Sequence, residues 1–366
     1  MGRAAGRRAA GALGAIAWFL IAATAVPSRG EAQGLPSSLA AFLREPIGLP
    51  ANELETVSGG APVVKALETA DQREIAVFGI VRIDVPRAFY VRLVTAFPSS
   101  LRAPSRHAFA LFADPATAAD VANVTLPHDD VQDLARCRAG ACKVKLSAEA
   151  IAHLRTTVDF GSRSADSAVN AHFRDRMVAF VTGYRSRGDS ALLVYGDQSS
   201  STAAAQVFQE MLSRSPYMYR YAPSLERYLE RYPRDRPANV AEALFWSEDD
   251  LSGLKPTITI THEVVYAPPE LPGITLIAEK LLYAAHYLDG ALTLSAVVDQ
   301  PEGPPGSPAG IYLVLLRRLH FDDLPSGGPI NLRARVIREL GNRTMTFLRD
   351  ARARSEQAYA RGTDSR

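Results

Sequence analysis

Lysine is scarce in this chain, and so is net charge. Five lysines (Lys65, Lys143, Lys145, Lys255 and Lys280) stand beside 36 arginines, and 41 basic residues nearly cancel 39 acidic ones, leaving a formal charge of +2. That balance gives no electrostatic footprint for nucleic acid. Cysteine is limited to Cys137 and Cys142, which excludes a disulfide-dense scaffold and any zinc site built from C-x-x-C units. Beyond the N-terminus no apolar run is long enough to span a bilayer. G-x-S-x-G, a Walker loop and G-x-G-x-x-G behind a strand are all missing, and His262-Glu263 lacks the second histidine of the zinc-protease helix. Gly188-Asp189-Ser190 follows a helix and has no later Asp-x-x-His, so it is not read as an esterase nucleophile block.

What is present begins at the N-terminus. Arg3, Arg7 and Arg8 precede an apolar run centred on Ile16, Trp18, Phe19, Leu20 and Ile21, which ends among small residues. These are the three regions of a secretory signal peptide. It is expected over residues 1–32, with cleavage after Ala32 or after Ala25, leaving a periplasmic or secreted chain of residues 33–366. In an oxidising compartment Cys137 and Cys142, separated by Arg-Ala-Gly-Ala, are expected to pair. Closing so short a loop contributes about 2 kcal/mol.

Residues 74–85 alternate with period two, and Pro86 then opens a helix at the position where a missing N–H costs nothing. Residues 107–239 read as mainly helical. TITITHEVVY, ITLIAEKLLYAAHYL, ALTLSAVVDQ and IYLVLLRRLHF read as strands rich in Ile, Thr, Val and Tyr. Leu332, Val336, Leu340 and Leu348 then recur at helical spacing. The predicted architecture is a single α+β domain. A curved antiparallel sheet packs on a long C-terminal helix in a helix-grip-like arrangement, with a large helical insertion at about 107–239 and the strands and helix at about 256–357. This order of elements resembles the START-like superfamily of lipid and hydrophobic-ligand binders, over roughly residues 73–101 and 256–357. The resemblance implies a cavity between sheet and terminal helix; an α+β sandwich of the same elements without a cavity is the alternative. DLARCRAGACKVKLS, FWSEDDLSGLKPTITITHEVVY and YAAHYLDGALTL also resemble a group of exported bacterial proteins of no known activity, which supports export and supplies no catalytic residues.

Asp289-Gly290 carries the strongest short hairpin signal, a type I′ corner. It would set Leu288 opposite Ala291, Tyr287 opposite Leu292 and His286 opposite Thr293. One face would then hold Leu281, Tyr283, Ala285, Tyr287, Leu292, Leu294, Ala296 and Val298. On the preceding strand Ile258, Ile260, His262, Val264 and Tyr266 share one side, and Thr257, Thr259, Thr261, Glu263 and Val265 the other. Tyr283, Tyr287, Tyr266 and His262 are therefore the candidate ligand contacts, with phenols as polar handles in an apolar wall. A packed core with each hydroxyl bonded to backbone competes for the same face. The functional expectation is a hydrophobic small molecule or lipid bound between sheet and terminal helix, without cofactor, metal or catalysis. One alternative is an enzyme using His262 or His286 with Glu263 or Asp289. Another is an envelope protein that docks a partner through the cysteine-containing insertion. A metal site would need His262, His286 and His320 to converge.

Overall fold

β-Branched and apolar residues in alternation build one large antiparallel sheet. Its strands are β1 (Val63–Leu67), β2 (Glu74–Ile83), β3 (Arg106–Leu111), β6 (Val240–Asp249), β7 (Thr257–Tyr266), β8 (Ile274–Ala284), β9 (Leu288–Asp299) and β10 (Ile311–Phe321). They lie in the order β1-β2-β10-β9-β8-β7-β6-β3. A separate two-stranded ribbon pairs β4 (Val194–Tyr195) with β5 (Thr202–Ala203). This computed structural model describes residues 35–96, 106–215, 220–250, 254–301, 309–325 and 331–363, so the expected signal segment at 1–32 lies outside the described residues.

Helices cover both faces of the sheet. On one face α1 (Ser37–Arg44) and α2 (Ala51–Ser58) bury Leu43 and Val57 against Phe78, Ile80, Tyr312 and Val314. Beside them lies the insertion, with α4 (His128–Arg136), α5 (Ala148–Thr157), α6 (Ala165–Arg187), α7 (Ala204–Ser213) and α8 (Pro223–Arg231). It packs on Ile258, Ile260, Val264, Tyr283 and Leu292. The opposite face carries α3 (Arg87–Thr95) and the terminal helix α9 (Leu332–Thr363), with Leu348 buried against Val81, Ile83 and Leu313. The α+β class, the long helix on an antiparallel sheet and the helical insertion are as expected. Cys137 and Cys142 form the expected disulfide.

Three sheet strands, β1, β3 and β6, were not expected. Residues 107–111 belong to β3 and not to a helix, and β6 occupies a stretch read as loop. β3 and β6 stabilise each other: Ala110 pairs with Trp246, whose indole N–H donates to Asp120 O at 2.7 Å. The insertion outside the sheet thus runs from 112 to 239.

Gly79 fixes where α9 crosses. A Cβ on Gly79 would stand 2.9 Å from both Leu348 Cδ1 and Thr344 Cγ2, so only a bare backbone lets the helix lie on β2. Toward β9, β8 and β7 a void opens between helix and sheet.

The corner expected at Asp289-Gly290 is elsewhere. Gly290 pairs with His320 inside the sheet, and the β8–β9 register sets Lys280 opposite Leu292 and Glu279 opposite Thr293. The chain turns through Ala285–Tyr287, with Tyr287 at φ +63°. The cause is a buried ion cluster. Lys145 Nζ, from the insertion, lies 2.8 Å from Asp289, 3.5 Å from Asp322 and 3.6 Å from Asp197, with its side chain 1% exposed. Lys145 N–H also donates to Ala285 O at 2.8 Å, and Tyr283 O–H donates to Lys145 O at 3.0 Å. A buried charge left unpaired costs more than a turn preference returns. Burial pushes the Asp197 and Asp322 carboxyls up. In Asp289 burial acts the same way but is outweighed by His320 and Lys145, which hold it below the usual range. A bulge at Leu282 follows: Ile260 faces Tyr283, but Thr261 faces Leu281. Tyr283 therefore stays on the insertion side while Leu281 turns toward α9.

Two substitutions test these supports. Gly79→Val is expected to cost about 1–3 kcal/mol by overpacking the α9 crossing. Lys145→Met is expected to cost about 3–5 kcal/mol, because it strands buried carboxylates. Both are read by denaturant melts at neutral pH; a loss under 0.5 kcal/mol, roughly the scale of a neutral surface change, would remove the role assigned to that residue.

Candidate functional site

Strand register decides which side chains look at α9. From β7 come Thr257, Thr259, Thr261 and Glu263; from β8 Ile277, Glu279 and Leu281; from β9 Ala291, Thr293 and Ser295; from β10 Leu313, Leu315, Arg317 and Leu319. With Tyr90, Leu93 and Val94 of α3 and Leu340, Arg343 and Phe347 of α9, they line a cavity of about 1050 Å³. Leu93 and Phe347 are exposed large apolar side chains, at 38% and 39%, and both belong to the cavity wall.

A polar row crosses this floor. Glu263 is the cross-strand partner of Glu279, Glu279 of Thr293, and Thr293 of Arg317. Among the described residues Glu263, Glu279, Thr261 and Thr293 have no hydrogen-bond or ion-pair partner. The Arg317 guanidinium lies 5.1 Å from the centre of the Phe347 ring. Arg106, near Glu263, is ion-paired to Asp249 at 3.2 Å. Burial, and then the charge of Glu279, push the Glu263 carboxyl up to about 8. Like charges directly opposite on neighbouring strands destabilise a sheet, so this pair costs stability where it stands.

The sequence candidates lie elsewhere. Tyr283 and Tyr266 are buried against the insertion, on the face opposite the cavity, and the Tyr283 hydroxyl is spent on Lys145 O. Tyr287 lies on the α9 side near Leu332 and Val336, and its hydroxyl accepts from Lys255 N–H at 3.1 Å. His262 opens on a second cleft, of about 760 Å³, with Arg185, Tyr232, Arg236 and Glu242. Its Nε2 lies 3.3 Å from Glu242 and its Nδ1 3.1 Å from the Tyr184 hydroxyl. Glu242 also accepts from Tyr228 O–H and from Arg236. Burial pulls the His262 imidazole below its ordinary value. This cluster meets its own hydrogen-bonding needs and seals the insertion to the sheet.

His262 and Glu263, being consecutive on β7, point to opposite faces, so the His–carboxylate pairing there is with Glu242. His286 is covered by the insertion, with Nε2 3.1 Å from Asp130, and its ring Nδ1–H donates to Lys143 O at 3.0 Å. His320 sits between Asp71 and Asp289, 3.3 Å from each. The three histidines thus face different carboxylates, and among the described residues no group of His, Cys, Asp and Glu is arranged to hold a metal ion.

Glu279 and Arg317 were not singled out in the sequence, and Glu263 was considered only as a carboxylate partner for His262 or His286. The available signal was a pair of consecutive charges inside each of the otherwise apolar patterns ITLIAEKLLYA and IYLVLLRRLHF, which puts one charge of each pair on either face of the sheet. No family model and no curated protein matches the chain.

The displaced Glu263 carboxyl makes a pH prediction. The unfolded chain releases this proton near 4.5, whereas the folded protein keeps it to about 8. Between those values the folded state binds more protons, so rising pH erodes stability. Glu263→Gln is expected to match the parent near pH 4.5 and to exceed it by on the order of a few kcal/mol above pH 8. Thermal melts across that range decide it; parallel pH profiles would show that Glu263 is not desolvated.

Proposed function

We propose that the protein binds a hydrophobic small molecule or lipid-like amphiphile between the sheet and α9, outside the cytoplasm and without catalysis. The observation that carries this reading is the cavity itself. Its volume of about 1050 Å³ sits at the upper end of ligand pockets, which run about 300–1,000 Å³. Its lining sets aliphatic residues such as Leu313, Leu315 and Leu340 beside many polar ones; of these, among the described residues, Glu263, Glu279, Thr261 and Thr293 have no hydrogen-bond or ion-pair partner. Exposed Leu93 and Phe347 give an apolar rim where a ligand could enter. Among the described residues the cavity lining contains neither histidine nor cysteine. The Cys137–Cys142 disulfide supports an oxidising location. Among the described residues no helix is long and apolar enough to cross a membrane.

The neutral fluorophore 1-N-phenylnaphthylamine tests the reading. Saturable binding is expected for the parent protein and for Tyr283→Phe, whose ring lies on the other face. Ser295→Trp, which fills the cavity from the middle of β9, is expected to weaken it at least about tenfold, a loss of about 1.4 kcal/mol. Equal binding by parent and Ser295→Trp, with folding verified by circular dichroism, would rule out the cavity as the site.

A further inference from the structure

Glu263 and Glu279 face one void, and among the described residues neither makes an ion pair, although the charges of Arg106 and Arg317 reach them. Other buried carboxylates in this protein are ion-paired: Glu74 meets Arg318 at 2.6 Å, Asp289 meets Lys145 at 2.8 Å, and Asp130 meets Lys255. The cations nearest the acid pair are otherwise engaged. Arg106 holds Asp249, Arg343 holds Glu339 at 2.9 Å, and Arg317 lies on the Phe347 ring. Glu263 is 6% exposed and Thr261 9%; both are unpartnered, and both line the cavity. Opposite them Leu313, Leu315 and Leu340 form an aliphatic wall on β10 and α9.

A buried Glu263 beside a half-buried Glu279, neither in an ion pair among the described residues and both set across from aliphatic residues, calls for a ligand with matching halves. An ammonium carries three donors and one positive charge. We propose that the cavity selects an amphiphile bearing an ammonium group, held between Glu263 and Glu279, with its alkyl chain against β10 and α9. This rests on the binding reading above and narrows it to a ligand class. Charge-assisted hydrogen bonds to the two carboxyl groups supply the preference, the ammonium's charge favouring release of the proton that Glu263 otherwise keeps to about 8. A fatty acid would set its own carboxylate against them and turn to lining arginines such as Arg106, Arg317 and Arg343, which are already engaged.

Isothermal titration of the intact protein at neutral pH with dodecylammonium, dodecanol and dodecanoate separates the possibilities. Dodecylammonium is expected to bind at least about tenfold more tightly than dodecanoate, the scale of one charged hydrogen bond. Glu279→Gln and Glu263→Gln are each expected to remove most of that preference while leaving dodecanol affinity within about twofold, since neither changes the aliphatic wall. Glu263→Gln is also expected to fold at least as stably as the parent, so its result is readable. Equal affinity for the ammonium and the carboxylate, or a preference unchanged in both variants, would overturn the ammonium assignment and leave the cavity reading standing. No binding of any of the three would remove the cavity reading and this inference with it.

Discussion

One buried ammonium determines which residues this protein shows to its cavity. Lys145 reaches from the insertion to carboxylates on β9, beyond β10 and within the insertion itself. Holding Asp289 there moves the β8–β9 corner upstream of Asp289-Gly290 and changes the pairing of the two strands. In the register expected from the turn, Glu279 would fall opposite Gln300, at the far end of β9. In the register observed it lies opposite Thr293, in line with Glu263 and Arg317. The polar row is therefore a product of an interaction 144 residues away in sequence. The insertion contributes to the cavity indirectly, through register and not through contact.

Much of the frame was readable from local pattern. The alternation of TITITHEVVY assigns Thr257, Thr259, Thr261 and Glu263 to one face and Ile258, Ile260, His262 and Val264 to the other, as observed. The apolar spacing of the last helix and the Cys137–Cys142 pairing were equally local signals. What failed was non-local. Turn propensity at Asp289-Gly290 is worth on the order of 1 kcal/mol or less, whereas an unpaired buried charge costs several. The bulge at Leu282 leaves no mark in composition, yet it sends Leu281 to the cavity and keeps Tyr283 in the core. Aromatic residues drew attention because phenols suggest ligand handles. Here their hydroxyls answer backbone groups, as with Tyr283 and Lys145 O.

The two faces of the sheet differ in how their carboxylates are held. On the insertion side His262, Glu242, Tyr184 and Tyr228 satisfy one another, and Arg318 is fixed to Glu74. Satisfied networks rigidify a core and specify one packing. On the α9 side Glu263, Glu279, Thr261 and Thr293 stand, among the described residues, without hydrogen-bond or ion-pair partners, across from Leu313, Leu315 and Leu340. Unmet polar groups are costly, and proteins concentrate such costs where function requires them. The asymmetry therefore points to the α9 side for chemistry and to the insertion side for support.

Gly79 connects that asymmetry to the terminal helix. By admitting Leu348 and Thr344 to the surface of β2, it seats α9 at one end of the sheet and leaves the helix spanning open space over β9 to β7. A side chain at position 79 would lift the helix where it is now anchored; bulk at Ser295 would fill the space the helix spans. The same helix thus serves as clamp at β2 and as cavity wall toward β7. The acids sit under the spanning part because the Lys145 cluster has already set their register. Helix anchorage fixes the size of the void, the buried ammonium fixes its polarity, and these two constraints come from opposite faces of one sheet.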